Sequence, residues 1–294
     1  MYDIEKIYEA YTIQEAIALK DKYPEARFIA GGSDLLVKIR DGKIKAGKLI
    51  SLYLCDQLRE IYLDENEDLI IGALGSFSQI TEDDLVNKCC PSLAQAVDTA
   101  GGPQLRNIAT IGGNVCNGVP SADSAPILFA YEAKLILENP QGQREVPIEE
   151  FYLGPGKVDL GPKDLLLGIK IKKPDYQGYS GYYYKYAMRN AMDIATSSCG
   201  ILAKLDEDLK VVDIRAAYGV AGPIPMRVYK AEEFLKGKEA SDENIKAFSK
   251  LALDELQPRD SWRASKDFRR QILYEIGKRS LYKIIEERKG GHNA

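Results

Sequence analysis

The stretch from Thr99 to Ser124, TAGGPQLRNIATIGGNVCNGVPSADS, constrains this chain more than any other. Within it Gly112-Gly113-Asn114 follows a short apolar run (Ile108, Ala109, Ile111) and leads into small, polar and turn-forming residues. Twin glycines after an apolar segment let a backbone turn tightly and bring its N–H groups close to a ligand. A second pair of the same kind stands far upstream, in Arg27-Phe28-Ile29-Ala30-Gly31-Gly32-Ser33-Asp34. Either pair alone reads as an ordinary turn. Together they point to one large anionic ligand held from two sides.

Composition narrows the chemistry. The only histidine among 294 residues is His292, in the tail Lys289-Gly290-Gly291-His292-Asn293-Ala294. A Ser-His-Asp triad, a Cys-His pair or a His-ligated metal would all have to use it. Chemistry in this chain is therefore expected from a bound cofactor, carboxylates or lysines, with no catalytic and no metal-ligating residue assigned. The five cysteines (Cys55, Cys89, Cys90, Cys116, Cys199) are scattered, odd in number and free of any CxxC spacing. They read as buried small side chains, with Cys116 kept open because it adjoins the twin glycines. A net charge of −4 gives no reason to expect nucleic acid or a membrane surface as partner. No run approaches the roughly 20 apolar residues of a membrane span, and the opening MYDIEKIYEAYTIQEA lacks a signal-peptide core. A cytoplasmic protein is expected.

Periodicity predicts a helix over 12–23, a strand at Arg27–Ala30, an apolar stretch at Leu35–Ile39 and a strand at Leu49–Leu52. A hairpin follows at Ile61–Leu63 and Leu69–Ala73, then helical segments near Phe77–Ile80 and over 82–100, broken at Pro91. Beyond the glycine region come a helix at Pro126–Tyr131 and strands at Lys134–Leu137, Glu145–Ile148 and Leu165–Ile171. Tyr152–Lys157, rich in turn formers, reads as a loop. Composition shifts at Pro174–Gly181, which places a domain boundary there: residues 1–176, subdivided near 57, and residues 177–294. The second part reads as three antiparallel strands (Tyr182–Ala187, Ala195–Leu205, Val211–Val220) and two helices (241–256 and 265–288).

A dinucleotide such as FAD needs converging N–H groups for its pyrophosphate, polar side chains for its ribityl chain and an apolar wall for its ring. The two glycine stretches supply the first. Ser33, Thr110, Asn114 and Asp123 are candidates for the second, although Asp123 also suits the N-cap of the helix before Pro126. The GxGxxG fingerprint of a doubly wound dinucleotide domain is absent.

Ala30-Gly31-Gly32-Ser33-Asp34, the run from Gly101 to Asn114, and Ser121-Ala122-Asp123-Ser124-Ala125-Pro126 resemble the flavin subunit of molybdenum hydroxylases. This is the family of xanthine dehydrogenase and carbon monoxide dehydrogenase, and the run from Asn114 to Ser124 resembles in particular the separate flavin subunit of bacterial xanthine dehydrogenases. The resemblance extends through Lys185-Tyr186-Ala187-Met188-Arg189-Asn190-Ala191-Met192-Asp193-Ile194-Ala195 and the run from Arg259 to Arg269. It implies an α+β fold: an FAD-binding domain of the vanillyl-alcohol-oxidase type in two α/β subdomains, then a C-terminal domain of three-stranded antiparallel sheet with helices. It implies cofactor contacts at Phe28, Ile29, Ala30, Gly31, Gly32, Ser33, Asp34, Leu35, Ala100, Thr110, Gly112, Gly113, Asn114, Asn117, Ala122, Asp123, Leu166 and Lys185. Ala100 falls near a position where some relatives carry a bulky aromatic against the flavin ring.

The resemblance further implies a partnership with a molybdopterin-binding subunit and a 2Fe–2S iron–sulfur subunit. Electrons would pass through FAD to NAD⁺ during purine oxidation. Nicotinate, an aldehyde or carbon monoxide are the alternative substrates. A stand-alone flavin reductase of the same fold and a scaffold that has lost its flavin are the alternative functions. Read from residues alone, Lys185 is a surface lysine, Tyr182-Tyr183-Tyr184 alternate across a strand, and the basic stretch 263–289 is a solvated helix face or subunit contact.

Overall fold

The computed structural model describes residues 2–45 and 47–290; His292 lies outside them. Three main sheets follow one another along the chain. In the first, strands Ile4–Glu9 and Arg27–Ile29 both pair in parallel with the central strand Gly47–Ser51. Parallel neighbours need crossovers, supplied by helix Ile13–Lys22 and helix Leu35–Arg40. Leu49 and Ile50 on the central strand are fully buried.

The second sheet is antiparallel throughout, in the order Ile61–Leu63, Leu69–Gly72, Leu165–Ile171, Lys134–Asn139, Gly142–Pro147. The hairpin read at Ile61–Leu63 and Leu69–Ala73 is present, its second strand ending at Gly72. Short helices cover this sheet. Asp83 caps helix Asp84–Cys89 by accepting from the N–H groups of Leu85 and Val86, and Pro91 opens the next helix, Pro91–Asp98. Both ends follow ordinary capping chemistry. Phe77, Ile80, Leu93, Ile111, Ile127, Leu128 and Phe129 form a core that excludes water. Tyr152–Lys157 differs from its loop reading: Tyr152–Gly154 and Lys157–Val158 pair as a small hairpin.

The third sheet is an antiparallel meander of Ser180–Tyr186, Ser197–Leu205 and Val211–Gly219. To the three expected strands it adds a fourth, Met226–Arg227, too short for periodicity to register. Each of its faces is covered. Tyr183, Leu202 and Ala217 join the core beneath helices Pro91–Asp98 and Ser124–Ala130. Cys199, Ile201 and Tyr218 face the helices Asp242–Glu255 and Lys266–Gly290. Double coverage explains why Ser197–Ala203 is buried without alternation and rich in small residues. The basic helix Lys266–Gly290 presents Ile272, Ile276, Leu281 and Ile284 inward and leaves its charges largely outside.

Arg227 joins this unit to the helical core. Its guanidinium is paired with Glu232 at 2.7 Å through both Nε and Nη2, and reaches Glu132 at 3.3 Å. Glu232 also accepts from the Ala216 N–H at 2.8 Å. Replacing Glu232 by Ala breaks the buried pair, leaving the guanidinium only its longer contacts to Glu132 and the Phe129 carbonyl, and strands the Ala216 N–H. Such a loss destabilises by about 3–5 kcal/mol. The expected result for Glu232→Ala is a lowered urea midpoint with an unchanged denaturant slope.

Candidate functional site

The two glycine stretches, about eighty positions apart in sequence, meet in space. Strand Arg27–Ile29 ends in the loop Ala30–Asp34, and Gly31 presses on the end of helix Pro103–Ile108. A Cβ on Gly31 would lie 1.7 Å from the Ile108 carbonyl oxygen. Gly32 sits at φ +72°, a backbone conformation that other residues adopt rarely. Across from this loop, Gly112 lies against the end of strand Leu69–Gly72, donating to the Ala73 carbonyl at 2.9 Å. A Cβ there would come within 2.7 Å of Ala73.

The gap between them is a cleft of about 560 Å³. Phe28–Leu35, Thr110, Gly112, Gly113, Asn114, Asn117 and Leu166, all singled out in the sequence, line it. The two walls differ in what they offer. Among the described residues, no group accepts a hydrogen bond from the N–H groups of Gly31, Gly32, Ser33 or Asp34. Four consecutive unpaired N–H groups at a cleft form a nest for an anion. The opposite wall departs from expectation, because its N–H groups are already used. Ile111 donates to Gly75 and Gly112 to Ala73, while Gly113 and Asn114 donate to the side chain and carbonyl of Thr110. Thr110 is the N-cap of a helix, Ile111–Cys116, and the glycines there serve close approach and space. The residues present fit the diphosphate of a dinucleotide, with one wall donating and the other making room.

Leu165 and Leu166 both border the cleft, although neighbours on a strand ordinarily face opposite ways. The strand end lies between two cores, Leu165 in one and Leu166 in the other, and the register shifts between Leu166 and Gly168. Cys116 is in the wall, its thiol pushed up to about 12 by burial, so it is an inert thiol at neutral pH.

Ala100, Ala122, Asp123 and Lys185 lie outside the cleft lining and belong to a second cluster. Asp123 accepts from the Tyr183 hydroxyl at 2.8 Å and from the Lys185 ammonium at 2.9 Å. Lys185 also donates to the Thr99 carbonyl at 3.0 Å, next to the buried Ala100. Its side chain is 9% exposed, so the surface reading of this lysine does not hold. Nor does Asp123 cap helix Ser124–Ala130, because its carboxylate is held by Tyr183 and Lys185. Burial pushes the Asp123 carboxyl up, against the opposing pull of Lys185 and Tyr183. The cluster connects to the cleft through Ser124, whose hydroxyl donates to Asn114 at 2.7 Å. Met192 packs over Gly102 beside it.

Residues 2–174 match the family described as the FAD binding domain in molybdopterin dehydrogenase, and residues 182–284 match the CO dehydrogenase flavoprotein C-terminal domain. The chain belongs to the FAD-binding subunits of the molybdenum hydroxylases. It is 36% identical over 285 residues to the xanthine dehydrogenase FAD-binding subunit of Escherichia coli O157:H7, covering 97% of each chain. It is 29% identical to the glyceraldehyde dehydrogenase medium chain of Sulfolobus acidocaldarius, over 93% of this chain and 96% of that one. Among solved structures, a carbon monoxide dehydrogenase from Hydrogenophaga pseudoflava superposes with a TM-score of 0.90 at 27% identity, over 96% of this chain and 97% of that one. The fold and the FAD cofactor expected from the sequence are those of this family. No helix among the described residues is long and apolar enough to cross a membrane.

Other cleft residues of this flavin subunit gave no signal in the sequence. Lys20 and Lys38 were not singled out from the sequence, yet both line the cleft. Lys20 is 8% exposed and donates to the carbonyls of Pro24 and Ala26. Asp164 closes the turn Gly161–Asp164 over the cleft, accepting from Asn139 at 2.7 Å, Arg144 at 2.8 Å and the Gly161 N–H at 2.9 Å. Burial raises this carboxyl, but those three donors outweigh it and hold it below the usual range. A group depressed in the folded state adds stability above its ordinary pKa of about 3.9, and that stability disappears as pH falls through the folded value. Asp164→Asn is therefore expected to lower the urea midpoint at pH 7 and to flatten its fall between pH 5 and pH 3. A variant with the same acid sensitivity as the parent would remove this assignment.

Proposed function

We propose that this flavin subunit carries electrons within a multi-subunit molybdenum hydroxylase, from a 2Fe–2S subunit through FAD to NAD⁺, during oxidation of a purine such as xanthine or hypoxanthine on a molybdopterin subunit. The observation that carries this reading is the 36% identity, end to end, with a relative named as a xanthine dehydrogenase FAD-binding subunit. FAD when bound supplies the redox chemistry; the chain contributes binding, orientation and the surrounding charge. In this reading Gly31–Asp34 receive the diphosphate, and Phe28–Ala30 and Leu35 frame that loop. Thr110, Gly112, Gly113, Asn114 and Asn117 form the facing wall. Leu166 packs on the ring. Ala100, Ala122, Asp123 and Lys185 form the polar end. The complex is placed in the cytoplasm.

The test is the purified complex of all three subunits. Under anaerobic conditions xanthine should bleach its flavin, and subsequent NAD⁺ should restore the colour with formation of NADH. Reduction by an aldehyde or nicotinate and not by any purine would transfer the chain to another member of the family. The cleft wall can be tested separately. Around Gly113 a Cβ meets only the Thr110 hydroxyl, at 2.9 Å, so a branched side chain would project into open space. Gly113→Val is expected to keep the far-UV spectrum of the parent while its flavin content falls about tenfold or more, measured after release by heat. Full flavin content would take Thr110–Asn114 out of the site.

A further inference from the structure

We infer that Lys38 is the cation that neutralises the diphosphate of FAD, and that Asn117 holds it in place while masking the carboxylate of Asp34. The inference rests on the flavin reading of the cleft and assigns a role to a residue outside the glycine motifs. Among the described residues, three cations line the cleft: Lys20, Arg27 and Lys38. Lys20 is buried and donates to two carbonyls, Pro24 and Ala26. Arg27 lies on the strand leading into the nest of free N–H groups and is exposed to solvent, which screens it. Lys38 stands one helical turn beyond the nest, with its N–H donating to the Asp34 carbonyl at 3.0 Å. It is half-buried.

The side chains of Asp34, Asn117 and Lys38 form a relay across the cleft. The Lys38 ammonium donates to the Asn117 amide oxygen, and the Asn117 amide nitrogen donates to the Asp34 carboxylate. All three line the cleft. An ammonium has three N–H donors. Only one of those on Lys38 has an acceptor among the described residues, which leaves two for phosphate oxygens. Asp34 creates the need for this arrangement. A bare carboxylate beside the nest would repel a diphosphate, and an amide donor on it together with a lysine behind that amide offsets the repulsion. One relay therefore makes both walls respond to the same ligand charge.

The experiment compares FAD with riboflavin, which lacks phosphate, on the full-length apo chain, followed by flavin fluorescence. A charge-assisted bond to phosphate corresponds to about a tenfold or greater change in affinity. Lys38→Gln is expected to raise the Kd for FAD by about that factor and to leave the Kd for riboflavin within about twofold. The salt dependence of FAD binding should also become shallower. Lys38→Arg is expected to recover most of the affinity. Asn117→Ala should weaken FAD binding, and adding Asp34→Asn should restore it, because the unmasked carboxylate is then gone. Equal effects on FAD and riboflavin, or none on FAD, would overturn the assignment to Lys38. Failure of the unmodified chain to bind FAD at all would overturn the flavin reading itself.

Discussion

The cleft exists because two backbones touch where a side chain would stand. Gly31 meets the carbonyl of Ile108 so closely that a single methyl group would force the loop and the helix apart. That contact fixes the three-stranded parallel unit against the helical side of the second sheet. Gly112 does the same on the other wall, seating its helix against Ala73 at the end of a strand. Both glycines are needed for what they lack rather than for unusual torsion angles; of the four glycines in the two pairs, Gly32 alone has a left-handed backbone. Once the walls are this close, the N–H groups of Gly31–Asp34 cannot be satisfied by a neighbouring strand. They remain available at the cleft to a ligand that supplies acceptors.

The second cluster, around Asp123, depends on the third sheet. Strand Ser180–Tyr186 runs beneath helix Pro91–Asp98, which puts Tyr183 on the inner side and carries Lys185 to Asp123 and to the Thr99 carbonyl. These contacts span 60 to 86 positions in sequence. They tie the turn at Ala100, the start of helix Ser124–Ala130 and the C-terminal sheet to one another. Ser124 then passes that order to Asn114 in the cleft wall. A cofactor held at both ends would thus be sensitive to packing of the C-terminal unit, although no described residue of that unit lines the cleft.

Much of this was legible from residue patterns, for definite reasons. Helices Ile13–Lys22 and Pro91–Asp98 announce themselves by apolar spacing and by Thr12 or Pro91 at their starts. The twin glycines stand out because two such pairs after apolar runs are uncommon. What sequence could not supply was the state of the N–H groups. Thr110 looks like a ligand residue of a loop, and only the fold reveals that it caps a helix and consumes the Gly113 donor. Lys20 and Lys38 were invisible for a related reason: a lysine near a helix end reads as solvated, and its burial is decided by a wall contributed from elsewhere. Asp123 also suited a helix cap, and its long-range partners Tyr183 and Lys185 are what exclude that role.

Charge is where local structure departs furthest from composition. The chain as a whole carries −4, yet the cleft is suited to an anion. Its carboxylates are each engaged: Glu25 with Lys48 at 2.8 Å, Asp164 with Arg144 at 2.8 Å, and Asp34 with the amide of Asn117. Lys48 and Arg144 stand behind the lining, so their charges cancel the acids without filling the space. The lysines of the lining and the four free N–H groups are left to set the local potential. Partial charges on fixed N–H groups need no side-chain ordering and are not displaced by salt as a lysine's counterions are. An acidic protein can therefore hold a dinucleotide without a basic surface, because the selection is made by backbone geometry inside the cleft and not by net charge outside it.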